Sequence, residues 1–68
     1  MFVVLNGERR ELPPGSTVAD VLQVLAGAPE GRGVAIAVEG QVVPRSAWTR
    51  TALRDGAHVE VVAAVQGG

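Results

Sequence analysis

The strongest constraint on the fold is one amphipathic helix set between two groups of short strands. Val18, Val21, Leu22 and Leu25 recur at i, i+3, i+4 and i+7 and make a single apolar stripe. Thr17 and Asp20 stand at capping-box spacing, and the acidic group suits the positive end of the helix dipole. Gly27 can take the left-handed C-cap conformation, and Pro29 prevents continuation. One stripe covers one face of one sheet. The expected class is therefore α+β, a mixed sheet of four to five strands with the helix packed on one side.

Phe2 to Leu5 reads as a strand, and Asn6-Gly7 after it suits a type I′ turn, where both central residues need positive φ. Glu8 to Leu12 is the partner strand, polar enough for a sheet edge. Pro13-Pro14-Gly15 ends it, because proline donates nothing to a ladder. Val34 to Val38 puts its large residues on one face and Ala35 and Ala37 on the other. Glu39-Gly40 turns the chain into Gln41 to Val43, which Pro44 stops. Arg45 to Arg54 reads as irregular with a single helical turn, and His58 to Val62 is the last strand, after the Asp55-Gly56 turn. The first and last strands are apolar on both faces (Val3 and Leu5 against Phe2 and Val4; Val59 and Val61 against Val62), which predicts that both are central. The face away from the helix is then an apolar patch, with Val3, Leu5 and Val61 as candidates for docking a partner.

Composition removes most other functions. Sixty-eight residues, 47 % of them hydrophobic, make one domain with a real core. There is no cysteine, so disulfides, thiolate metal sites and cysteine nucleophiles are out. The lone His58 cannot hold zinc, and no metal is expected. Six basic residues against seven acidic ones are a poor footprint for nucleic acid. No signal peptide or membrane span is legible, so a cytoplasmic location is expected. All six basic residues are arginine, so no side-chain amine exists to accept an isopeptide bond.

The sequence closes on Gly67-Gly68, an unhindered carboxylate on residues that fit a channel too narrow for any side chain. Residues 1–62 are expected to form the domain and 63–68 a flexible tail, with Val65, Gln66 and Gly67 giving Gly68 its access. Leu5-Asn6-Gly7-Glu8 opens a pattern continued by Ala37-Val38-Glu39-Gly40-Gln41-Val42-Val43-Pro44-Arg45-Ser46 and Trp48. Leu53-Arg54-Asp55-Gly56, Val59-Glu60-Val61-Val62 and Val65-Gln66-Gly67-Gly68 complete it. With these residues the chain resembles the β-grasp sulfur carriers, relatives of ubiquitin, and most closely the ThiS family of thiamine thiazole synthesis. It departs from that pattern at Glu39, Ala47 and Ala57, none of which touches the reactive end.

That resemblance implies a carrier rather than an enzyme. An ATP-dependent, E1-like activating enzyme would adenylate Gly68, and a sulfur donor such as a cysteine desulfurase or sulfurtransferase would displace AMP. The resulting thiocarboxylate would supply thiazole synthase. No bound cofactor is implied, only the transient covalent adenylate and thiocarboxylate. Two alternatives stay open: a carrier for molybdopterin or cysteine synthesis, and a ubiquitin-like modifier of other proteins. Trp48 is a candidate partner anchor, against the plainer reading that it covers one edge of an aromatic-poor core. His58 reads as an ordinary surface histidine, and Arg9 and Arg10 as a solvated edge that discourages strand addition. Arg45, Arg50 and Arg54 read as a solvated loop rather than a patch for an acidic partner.

Overall fold

The computed structural model describes residues 1–24 and 33–63. Within them lie β1 (Phe2–Leu5), β2 (Glu8–Glu11), α1 (Val18–Val24), β3 (Val34–Val38), β4 (Gln41–Val43), a 3-10 helix (Arg45–Arg50) and β5 (Ala57–Ala63). The strands form one sheet in the order β2-β1-β5-β3-β4. β1 and β5 run parallel, and the other three pairings are antiparallel. β1 and β5 are thus inner strands, as their two-faced apolar character predicts, together with β3, and the polar β2 lies at an edge. From that edge the chain crosses one face through α1 to reach β3 on the far side of β5. No helix among the described residues is long and apolar enough to cross a membrane.

Both hairpin turns have positive φ at their two central residues, as type I′ requires; the sequence predicts that type for Asn6-Gly7 and only a tight turn for Glu39-Gly40. Asn6 and Gly7 stand at φ 50° and 84°, and Glu39 and Gly40 at 51° and 82°. A glutamate pays for the left-handed region, so Glu39 must be held there. Its N–H donates to the His58 carbonyl at 2.9 Å, and its Oε2 accepts the His58 N–H at 2.9 Å. At Gly40 a Cβ would meet nothing within 4 Å, which leaves only the backbone cost of positive φ. Gly40→Ala is therefore expected to destabilise the protein by about 1–2 kcal/mol in chemical denaturation. Unchanged stability would contradict the turn geometry.

The start of α1 uses half of the capping box. The Thr17 N–H donates to Asp20 Oδ2 at 2.8 Å, and the Thr17 hydroxyl donates to the same oxygen at 3.2 Å. Val18, Val21 and Leu22 are buried, as the stripe requires. Leu25, Gly27 and Pro29 lie outside the described residues. The helix stripe joins Val3, Leu5, Ile36 and Val59 of the sheet in one core cluster, which also holds Leu12, Trp48 and Leu53. The segment expected to be irregular is a six-residue 3-10 helix, entered from extended Pro44 and begun by an Ala47 N–H that donates to the Pro44 carbonyl at 2.8 Å.

Candidate functional site

Strand register decides which side chains a partner can reach. Val3 pairs with Ala57 and Leu5 with Val59 across β1 and β5, and Ile36 pairs with Val61 across β3 and β5. All of these turn toward α1. Val3 is 0 % exposed and Leu5 3 %, and Val61 is half-buried against the same cluster. The expectation that Val3, Leu5 and Val61 line the open face is thus corrected: they belong to the helix face. Trp48 is also buried, and its indole N–H donates to the Val43 carbonyl at 2.9 Å. It covers the core edge and is not an exposed anchor.

The open face is made by the alternate residues. Val62 lies opposite Ala35, and Val42 opposite Ala37, so these four small or branched side chains form an apolar strip, flanked by the exposed Glu60 across from Ala37 on β5. Val42 is 72 % exposed and Val62 62 %, and no larger exposure of a big hydrophobic occurs among the described residues. Toward β2 the same face changes character. The Arg9 guanidinium lies 3.8 Å from the Phe2 ring centroid and shields it. His58 has a titratable neighbour that its sequence surroundings do not reveal: Nδ1 is 3.8 Å from Glu39 Oε2. Both groups are well exposed, so the pair contributes little to stability.

β5 reaches the end of the described chain at Ala63, and Val65, Gln66, Gly67 and Gly68 lie beyond it. Two side chains grip this strand from the hairpin turns. Glu39 takes the His58 N–H near its start. Asn6 takes Val61 near its end: the Val61 N–H donates to Asn6 Oδ1 at 2.8 Å, and Asn6 Nδ2 donates to the Val61 carbonyl at 3.1 Å. Sequence reading sees Asn6 only as a turn former, because its second partner is 55 residues away.

A mixed sheet with its first and last strands parallel at the centre, crossed on one face by a single helix, is the β-grasp architecture of ubiquitin-like proteins. Residues 3–68 match the model of the ThiS family. The chain belongs to the ThiS family. It is similar over its full length to the crystal structure of the thiamine biosynthesis protein ThiS from Geobacter metallireducens, with a TM-score of 0.82, 27 % identity and all of both chains covered. The solution structure of a thiamine biosynthesis protein from the same organism aligns with a TM-score of 0.75 and 27 % identity, covering 100 % of this chain and 88 % of the other. Among curated proteins, a thiazole synthase of Paramagnetospirillum magneticum is 35 % identical over all 68 residues. The chain spans a fifth of that relative's length, 20 %.

Proposed function

We propose that this protein is the sulfur carrier of thiazole formation in thiamine biosynthesis, with the Gly68 carboxylate as the group that is loaded. The observation that carries the proposal is the family match, which runs through the domain to Gly67-Gly68. The carrier acts as a co-substrate in the cytoplasm and supplies no catalytic group of its own.

The chemistry follows from the weakness of a carboxylate as an electrophile. An E1-like enzyme would join the Gly68 carboxylate to the α-phosphorus of ATP, releasing pyrophosphate and leaving an acyl adenylate. Sulfide would then attack the carbonyl carbon and expel AMP, giving the thiocarboxylate. With a persulfide on a desulfurase or sulfurtransferase, the first product is an acyl disulfide, which a thiol reduces to the thiocarboxylate. Glycine at both final positions leaves the carbonyl open to the phosphate and to the sulfur nucleophile.

A thiazole synthase relative that includes a stretch similar to this entire chain supports thiazole synthase as the consumer. The strip formed by Ala35, Ala37, Val42 and Val62 adjoins the end of β5, so an activating enzyme that receives Gly68 would also cover it. The test of the pathway is transfer. Protein carrying a Gly68 thiocarboxylate is expected to support thiazole formation by thiazole synthase, in an amount limited by the carrier supplied. Absence of thiazole in that mixture, with the thiocarboxylate intact, would reject the assignment to thiamine.

A further inference from the structure

We infer that Asn6 is a positioning residue for sulfur loading: its carboxamide fixes the end of β5, the last described strand before Gly68. The inference rests on the sulfur-carrier reading given above. β1 stops pairing with β5 at Leu5 opposite Val59, because Asn6-Gly7 turns the chain back into β2. β5 continues to Ala63, so on this side it outruns its neighbour. Asn6 fills the gap. Its backbone N–H donates to the Val59 carbonyl at 2.9 Å, and its side chain exchanges two hydrogen bonds with Val61, as a further strand residue would. Three bonds from one residue therefore hold β5 at Val59 and Val61.

From Val61 to Gly68 the chain spans at most about 24 Å when fully extended. If the end of β5 is freed, Val61 and its neighbours are residues that a partner must order again before the Gly68 carboxylate can react. Glu39 offers an internal control, since its side chain makes a comparable bond at His58, near the opposite end of β5. If bracing of the sheet were all that mattered, both residues would count alike.

Asn6→Gly separates the clamp from the turn, because glycine accepts φ near 50° at no cost and loses only the carboxamide. Activation by the E1-like enzyme with ATP is measured as a function of carrier concentration, alongside amide exchange at Val61. N6G is expected to raise KM about fivefold to thirtyfold, the scale set by reordering one residue, with kcat within about twofold. Val61 exchange accelerates in the same variant. Asn6→Asp, which keeps the turn and an acceptor but loses the donor, moves KM in the same direction, whereas Glu39→Gly leaves it unchanged. An unchanged KM for N6G, or an equal rise for E39G, overturns the inference while the carrier reading stands. Failure of the wild-type protein to be activated at all overturns both.

Discussion

Val3→Asp leaves the protein unfolded at room temperature, whereas Val62→Asp leaves it folded. Val3 has no exposed surface, so the substitution forfeits about 2 kcal/mol of apolar burial and sets an unpaired carboxylate against the helix stripe. Losing the burial and stranding the charge together approach or exceed the total stability of a 68-residue domain, roughly 3–10 kcal/mol. Val62 is 62 % exposed on the other face of the sheet, where a carboxylate stays hydrated and the change in stability falls within about 0.5 kcal/mol. Far-UV circular dichroism and denaturant titration check the pair. A folded V3D would mean that β1 faces the other way. The folded V62D variant is expected to load sulfur with a raised KM, because it puts charge into the apolar strip.

The two faces of the sheet show what the sequence carries and what it does not. In β5, His58 and Glu60 alternate with Val59 and Val61, a signal that points Val61 inward and that reading the strand as apolar on both faces overlooks. β1 holds no such signal. Phe2-Val3-Val4-Leu5 is apolar at every position, so its parity is set only by pairing with β5. The turn positions were legible, since Asn6-Gly7 and Gly40 accept positive φ from local residues alone, whereas Glu39 takes it only where His58 holds it. The clamps made by those same turns were not, because Asn6 meets Val61 and Glu39 meets His58 only after the sheet assembles. Trp48 was ambiguous for a related reason. Its indole N–H finds its carbonyl through the 3-10 helix, a geometry the irregular Arg45 to Arg54 sequence does not announce.

Deleting Gly68 is expected to abolish sulfur loading, a loss below detection, while circular dichroism and stability stay those of the full chain. The core cluster ends with Val59 and its half-buried neighbour Val61, well before that residue. The deletion leaves Gly67 as the terminus, one residue, or about 3.5 Å, short of the position in which the carboxylate would meet ATP. A misplacement of an ångström at a reacting centre already costs about a hundredfold, so a whole residue is decisive. The most direct measurement is the intact mass of the protein after incubation with the E1-like enzyme, ATP and a sulfur donor. The full chain is predicted to gain the mass of one sulfur replacing one oxygen, and the chain lacking Gly68 to gain nothing. An unchanged full chain, an adduct joined to lysine of another protein, or equal loading of the shortened chain would contradict the assignment of sulfur chemistry to Gly68.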